Sequence, residues 1–345
     1  MTKKNPRLRD IAAETGLSLA TIDRVLNARG KTSERAAKRI SDAIEKLASK
    51  QPANGGAPAV YDIILPRNAG LSTEYLAAFF KTAAKKREIL LRQHYVNRLD
   101  PLDLHNKFLE CLDNKTSGIA FQALEETRIR AITVDAVAKG IPVVSVVSSF
   151  SGMPFHYVGL DNRAAGRTAA YMMSALNHAK GPIAVVWGGH LYHGHEEREF
   201  GFRSFFRNIQ APIEIVDVRC SQDDADEAFE LVASVLKKRS DLSGLYCVGG
   251  GIMGAVRALQ NHKKKNGCVV IGHNLTANTR DFLLEDAMDI VIHQNMQNIA
   301  ERTLDILLNS KSIQSNSAHL IPIEIITKEN IYDVFESNNL DDLNG

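Results

Sequence analysis

From residue 60 onward, short apolar runs alternate with amphipathic segments almost without interruption, and this alternation constrains the fold more than any other feature. Most of the runs are continuous and rich in valine and isoleucine, which is typical of parallel strands that are covered on both faces. Helical segments separate them, for example 163–178 and 223–239. The predicted strands are 61–66, 89–96, 117–122, 142–147, 182–187, 213–218, 243–248, 268–273 and 289–293.

Alternating strands and helices of this kind predict an α/β body built on doubly wound parallel sheets. The predicted strands exceed what one five-stranded unit holds, so we expect two subdomains. The first should comprise about 60–160 with 290–320, and the second about 161–288 with 321–335.

The segment ASKQPANGGAPA, at 48–59, precedes this body. It is rich in Ala, Gly and Pro and carries one charge, which is typical of a linker. We therefore divide the chain into an N-terminal domain (1–48), a linker (49–59) and a body (60–335).

Charge is distributed unevenly along the chain. The first fifty residues carry twelve basic and six acidic side chains, whereas the remaining 295 residues carry 30 basic and 34 acidic ones. A basic segment on a mildly acidic body indicates that only this segment contacts a polyanion. A pair of solvated, charged helices would give the same balance, so charge alone leaves both interpretations open.

Helical spacing predicts three short helices in the basic segment, and hence an all-α three-helix domain. The first covers 7–15 and ends before Gly16, a residue suited to a tight turn between helices. Ser18 has the residue type of an N-cap for the second helix, and the third begins near Ser33. The inward-facing residues are expected to be Leu8, Ile11, Ala12, Ile22, Val25, Leu26, Ala37, Ile40, Ile44 and Leu47.

The stretch RDIAAETGLSLATIDRVLN, followed by SERAAKRISDAIEKL, resembles the helix-turn-helix DNA-binding head of the lactose-repressor (LacI) family over about forty residues. The resemblance implies that the second helix enters the major groove of operator DNA. By position, it implies base contacts from Leu19, Ala20 and Asp23. It likewise implies phosphate or mixed contacts from Ser18, Thr21, Arg24 and Asn27.

Two features of this head differ from the family pattern. Asp23 replaces a small polar residue, and it could accept a hydrogen bond from a cytosine amino group or pair with Arg24 or Arg35. The linker at 48–59 has neither the Tyr-x-Pro-Asn motif nor the apolar hinge helix whose leucine wedges into the minor groove in the family. We therefore predict docking mainly through the major groove.

The body resembles the ribose-type periplasmic-binding fold that these regulators use. The resemblance rests on VGLDNRAAGRTAA, EREFGF, LYCVGGGIMGAVRALQ, VIGHNLT, VIHQN and IPIEIITKENI, of which the last should supply the final strand. It implies a small polar effector in the cleft between the two subdomains.

The same resemblance implies effector contacts. Arg198, three residues before Gly201, is expected to bind paired hydroxyls or a carboxylate. Asn274 stands where many relatives have aspartate. Gln294 follows the strand at 289–293 and matches a common polar residue on the ligand side. Three residues in loops after predicted strands should also face the cleft: Ser72, Tyr75 and Ser148. Trp187, which ends a predicted strand, is either a stacking face for a sugar or a core residue.

Two departures widen the range of effectors. The strand end VVSVVSSF lacks the Asp-Arg pair of ribose binders, and the loop VGGG at 248–251 lacks an Asn-Asp pair. That loop could offer backbone N–H groups to an anion, or it could be a tight turn between strand and helix. The sequence is therefore compatible with a sugar, a sugar acid, a polyol or a sugar phosphate.

No cofactor, metal or catalytic function is expected. The histidines and glutamates of HLYHGHEE, at 190–197, fit no standard metal spacing, and no nucleophile elbow, Walker loop or dinucleotide fingerprint occurs. Four scattered cysteines are expected to be reduced and mostly buried: Cys111, Cys220, Cys247 and Cys268. They fit the cytoplasm, as do the lack of an apolar leader and of an 18-residue apolar run.

The leading hypothesis is a cytoplasmic transcriptional regulator, a repressor that binds operator DNA as a homodimer. A sugar-like effector would control its DNA affinity allosterically, and neither a membrane nor catalysis would be involved. The alternative is a solute-binding protein of a sugar uptake system, since the body alone would suit one.

Overall fold

The computed structural model describes residues 8–26, 33–50, 59–152, 155–178, 181–219, 224–263, 267–309 and 317–332. The chain divides into two compact units, Met1–Ala59 and Val60–Gly345.

Three helices form the N-terminal unit: α1 (Leu8–Thr15), α2 (Leu19–Leu26) and α3 (Glu34–Lys50). Their described core consists of Ile11, Ile22, Ile40 and Ala43. Gly16 adopts a left-handed conformation, with φ +64°, where the chain turns from α1 towards α2. The guanidinium of Arg39, on α3, donates to the last carbonyl of α1, that of Thr15, at 2.6 Å.

One core prediction for this unit is wrong. Leu26, expected to face inward, is 41% exposed because it is the last residue of the short helix α2. The other inward-facing predictions are buried or half-buried where their side chains are described. The residue Asn27 lies outside the described residues, as do the side chains of Leu8, Ala20, Arg24, Ile44 and Leu47.

The body begins with five strands, and a sixth joins their sheet near the C-terminus. The elements of this first half are β1 (Val60–Pro66), α4 (Leu71–Lys86), β2 (Leu90–Val96), α5 (Pro101–Asp113), β3 (Gly118–Phe121), α6 (Thr127–Ala138), β4 (Val143–Val146) and β5 (His156–Gly159).

The second half contributes the remaining elements. They are α7 (Asn162–Leu176), β6 (Ile183–Trp187), α8 (His193–Asn208), β7 (Ile215–Arg219), α9 (Ala225–Lys238), β8 (Gly244–Cys247), α10 (Ile252–Asn261), β9 (Val269–His273), α11 (Ala277–Leu284), β10 (Ile290–His293), α12 (Met296–Asn309), β11 (Ala318–Leu320) and β12 (Glu324–Ile326).

Two six-stranded sheets result. The first has the order β11-β5-β4-β3-β1-β2, and all its strand pairs are parallel. The second has the order β12-β10-β9-β8-β6-β7, with only the edge strand β12 antiparallel. Helices cover both faces of each sheet, so the continuous Val/Ile runs are buried on both sides as the sequence predicts.

The two doubly wound subdomains confirm the predicted fold class of the body, with three differences in detail. Strands β5 and β11 were not predicted, because they are only four and three residues long and too short to show a clear pattern. The strand β10 was assigned to the first subdomain but pairs with β9 and β12 in the second. The chain therefore returns to the first subdomain at α12, after this strand rather than before it.

The described cysteines Cys111, Cys247 and Cys268 are buried, and Cys220 lies outside the described residues. None of the helices in the described part of the chain is long and apolar enough to cross a membrane.

Candidate ligand-binding site

A cavity of about 390 Å³ lies between the two subdomains. Its walls come from the loops and helix starts that follow β1, β2, β3 and β4 in the first sheet and β6, β7, β8, β9 and β10 in the second. Carboxyl ends of parallel strands converge at the same edge of a sheet, which explains why loops distant in sequence meet here.

Five of the seven side chains predicted to contact an effector line this cavity: Ser72, Ser148, Arg198, Asn274 and Gln294. Ser72 and Ser148 come from the first half and the other three from the second, so the cavity brings both halves together. Their role as effector contacts stays a prediction.

The other two candidates lie outside the cavity wall. The hydroxyl of Tyr75, on α4, accepts a hydrogen bond at 3.3 Å from the backbone N–H of Ala277, at the start of α11. It thus links the two halves beside the cavity. Trp187 is buried in the core of the second subdomain, where Arg219 and His190 contact its ring. Of the two interpretations of Trp187, the structure favours the core residue.

Arg198 is 3% exposed and is held in a fixed orientation. Its Nε donates to Oδ1 of Asn162 at 2.8 Å, and its Nη1 donates to the carbonyl of Val248 at 2.9 Å. The Asn162 amide in turn donates to the hydroxyl of Tyr157 at 3.1 Å. These bonds place the guanidinium between the start of α7 and the end of β8.

Two further cavity residues, His273 and His195, were not predicted from the sequence to contact an effector. Nε2 of His273 lies 2.9 Å from the hydroxyl of Tyr246, a residue buried in the second sheet. Burial, followed by the nearby Arg198 and His195, lowers the pKa of His273 well below its ordinary value, so its imidazole is neutral. Its position directly before Asn274 at a strand end was the available signal.

Asn274 and Gln294 form a pair across neighbouring strand ends. The amide of Gln294 donates to Oδ1 of Asn274 at 3.2 Å, while Asn274 adopts a left-handed conformation with φ +67°. Gln294 is 1% exposed, and its Oε1 has no hydrogen-bond partner among the described residues. A buried amide oxygen without a partner is costly, so this atom is available to a bound donor.

Helix N-termini at the cavity are of two kinds. Side chains cap α5, α6, α7, α9, α11 and α12, of which the last three begin at the cavity wall. The helices α4, α8 and α10 have no side-chain cap, and all three begin at the cavity wall. Their first N–H groups and the positive ends of their dipoles therefore face the space where a ligand would bind.

A possible metal cluster, Asp62, His94 and Cys111, lies beneath α5 and outside the cavity wall. Arg92 already binds both carboxylate oxygens of Asp62 at 2.7 Å, and burial raises the pKa of the Cys111 thiol to about 12. A buried carboxylate that is fully paired and a protonated thiol make poor metal ligands, so these residues fit an internal ion pair better.

On α2, the described residues predicted to face DNA have a local arrangement typical of a capped helix start. Ser18 Oγ accepts from the backbone N–H of Thr21 at 3.2 Å, and the two hydroxyls lie 2.9 Å apart. Leu19 is 46% exposed, whereas Asp23 is half-buried. The side chains of Ala20 and Arg24 belong to the same helix but lie outside the described part.

Two doubly wound subdomains with a polar cavity between their strand ends define a class of two-lobed proteins that bind small ligands. Residues 74–311, more than half of the chain, match the family described as periplasmic binding protein domain. The chain belongs to this family.

Solved structures of sugar-binding proteins share the fold. The glucose-galactose binding protein GanP of Geobacillus stearothermophilus is 19% identical, with a TM-score of 0.72 over 80% of this chain and 99% of that one. A solute-binding protein of an ABC transporter from Burkholderia graminis C4D1M, in complex with D-arabinose, is 20% identical, with a TM-score of 0.73 over 80% and 98%. The arabinose-binding protein AraP of Geobacillus stearothermophilus is 23% identical, with a TM-score of 0.67 over 79% and 98%.

Among curated proteins, the chain is similar to the HTH-type transcriptional regulator DegA of Bacillus subtilis (strain 168). The two are 22% identical over 229 residues, which cover 63% of this chain and 66% of DegA.

Proposed function

We propose that this protein is a LacI-type, DNA-binding transcriptional regulator, a repressor whose DNA affinity depends on a sugar-like effector in the cavity. The observation that carries the proposal is a basic three-helix unit placed before a body of the sugar-binding type. Such a body needs no basic helical unit to bind a neutral solute, whereas a DNA-binding protein does need one.

Features of α2 support a role as the helix that reads DNA. The N-terminal residues of a recognition helix face the major groove, and Ser18, Leu19 and Thr21 occupy this end of α2. The exposed, apolar Leu19 can contact a thymine methyl group but cannot form a bidentate hydrogen bond. The similarity to DegA agrees with this assignment.

The effector would act by contacting both halves of the body. Ser148 Oγ accepts at 3.5 Å from the backbone N–H of Gly194, and Tyr75 meets Ala277, so both contacts join one half to the other beside the cavity. A ligand that binds between the halves favours one relative arrangement, and this shifts the DNA affinity of a homodimer by linkage. The homodimer would recognise a near-palindromic operator.

The alternative is a solute-binding protein of a sugar uptake system. The solved relatives with the same fold favour it, since they bind sugars. It gives the basic helical unit no role, which is why we rank it second. As parts of the leading proposal, the protein acts in the cytoplasm, needs no cofactor and catalyses no reaction.

Fluorescence anisotropy with labelled DNA from the region upstream of the protein's own gene tests the proposal. We expect the full chain to bind this DNA, and Arg24→Ala to weaken binding by about tenfold, the order expected for losing one strong contact. Arg128→Ala removes the same charge from an exposed position on α6 and serves as the matched control. No binding above that to unrelated DNA, or equal losses in both variants, would favour the solute-binding protein.

A further inference from the structure

We propose that the ligand of this cavity is a hydroxylated anion whose carboxylate or phosphate group binds at the N-terminus of α10. This inference rests on the proposed function, in which a sugar-like effector occupies the cavity, and it narrows that effector to its anionic class.

The loop Gly249–Gly251 leads from β8 into α10 and forms part of the cavity wall. Gly251 is the N-cap, with φ 81°, and contributes no side chain to cap the helix. The first main-chain bond of the helix runs from the N–H of Ala255 to the carbonyl of Gly251. The N–H groups of Ile252 and Met253 donate to no described residue, and glycines let an anion approach them closely.

A cation lies beside this helix start. Arg198 Nη1 donates to the carbonyl of Val248, the residue directly before Gly249. The guanidinium is thereby held next to the loop, and a second bond to Asn162 fixes its plane. A planar guanidinium and a helix N-terminus side by side form a suitable seat for a carboxylate or phosphate oxygen pair.

Independent evidence for a ligand comes from two buried side chains in the cavity wall. The buried hydroxyl of Tyr246 lies 2.9 Å from Nε2 of His273, and when this hydroxyl is the donor the proton of the neutral imidazole is on Nδ1. Nδ1 of His273 and Oε1 of Gln294 both lack a partner among the described residues, although each side chain is more than nine-tenths buried. In that tautomer the first can donate to an anion, and the second can accept from a hydroxyl.

These groups form two chemically different regions of the cavity. Arg198, the start of α10 and His273 supply donors, which match the oxygens of an anion. Gln294 Oε1 and the neighbouring amide of Asn274 supply acceptors and donors for hydroxyls. A neutral sugar would use the second group, and Arg198 and the positive end of α10 would then face no charge on the ligand.

The test compares Gly250→Asp with Gly250→Asn, two variants of nearly equal size that differ in one negative charge. Gly250 lines the cavity and does not have positive φ, so both side chains fit its backbone conformation. Titration calorimetry would use D-glucose, D-gluconate and D-glucose 6-phosphate, and the corresponding ribose series. The carboxylate and phosphate members of each series show which of the two anions binds.

We expect at least one anion to bind the unmodified chain at least about tenfold more tightly than its neutral parent. Gly250→Asp should weaken the binding of that anion at least about tenfold more than Gly250→Asn does, because the added carboxylate repels the anion. Both variants should change the affinity for any neutral sugar that binds by the same factor.

Each of the other outcomes contradicts a specific part of the proposal. Neutral sugars that bind as tightly as their anions would overturn the anionic ligand and leave the proposed function standing. A preference for the anion with equal effects of both variants would place the anion away from α10 and overturn the assignment. If no compound of either series binds, both this inference and the sugar-like effector are wrong.

Discussion

At the scale of single residues, two buried histidines end neighbouring strands of the second sheet. His273 ends β9, and His293 ends β10. Nδ1 of His293 accepts the backbone N–H of Leu275 at 3.0 Å, so this nitrogen carries no proton. Burial lowers the pKa of His293 from 6.5 to about 4. Both residues are therefore held neutral in the folded protein, because a charged imidazole would lose its hydration and, at position 293, a hydrogen bond.

This arrangement predicts a loss of stability in mild acid. The folded-state pKa of His293 is below the unfolded one, so its contribution to stability is fully present above pH 6.5 and is lost as pH falls towards 4. Between pH 7 and 5 the contribution should fall by about 2 kcal/mol, at 1.36 kcal/mol per unit of pKa.

Urea unfolding at both pH values measures this effect. From pH 7 to pH 5, the free energy of unfolding of His293→Gln should fall by about 2 kcal/mol less than that of the unmodified chain, since glutamine does not titrate. His178→Gln removes an exposed histidine near the end of α7 and should behave like the unmodified chain. Equal pH dependence in all three proteins would show that His293 is not held neutral by burial.

At the scale of elements, α7 and α8 cross closely because glycines lie at their contact. A Cβ at Gly166, on α7, would overlap the carbonyl oxygen of Arg198 on α8, and one at Gly201 would overlap the carbonyl oxygen of Arg163. The close crossing positions the backbone that carries Arg198 into the cavity. Packing of these helices and the geometry of the ligand site are therefore coupled.

Gly166→Ala should accordingly affect both stability and binding. We expect it to reduce the free energy of unfolding by about 1–3 kcal/mol, because the added methyl group meets main-chain atoms that cannot rotate away. It should also lower the affinity for the ligand that binds the cavity best, since α8, which carries Arg198, has to shift. Ser174→Ala, at an exposed position of the same helix, is the control for helix propensity. An unchanged ligand affinity in Gly166→Ala would show that the crossing does not position Arg198.

The sequence predicts most of these elements because buried parallel strands carry a strong local pattern of Val and Ile. The family resemblance also points to Arg198, Asn274 and Gln294, and all three line the cavity. The sequence does not predict features that depend on distant partners. The pairing of β10 with β9, the contact of Tyr75 with Ala277, and the bond of His273 to Tyr246 each arise only from the assembled fold.

At the scale of the whole molecule, the chain joins a basic helical unit to a two-lobed body of the periplasmic binding protein family. The chain crosses between the two sheets three times, at α7, at α12 and between β11 and β12. Because ligand contacts come from both lobes, a bound effector is expected to favour one arrangement of the body. This is the physical basis on which DNA affinity could follow ligand concentration.

Regulation by an effector requires thermodynamic coupling between the binding of the effector and the binding of DNA. DNA affinity would be measured by anisotropy with and without a saturating concentration of the best ligand of the cavity, and ligand affinity with and without saturating DNA. Arg198→Ala should bind DNA as the unmodified chain does in the absence of ligand, but should show no response to ligand at that concentration.

We expect the effector to change the DNA dissociation constant of the unmodified chain by about 5- to 150-fold, and DNA to change the effector's dissociation constant by the same factor. A DNA affinity that stays constant while the cavity is saturated would contradict the account and leave a sugar-binding protein without a regulatory role.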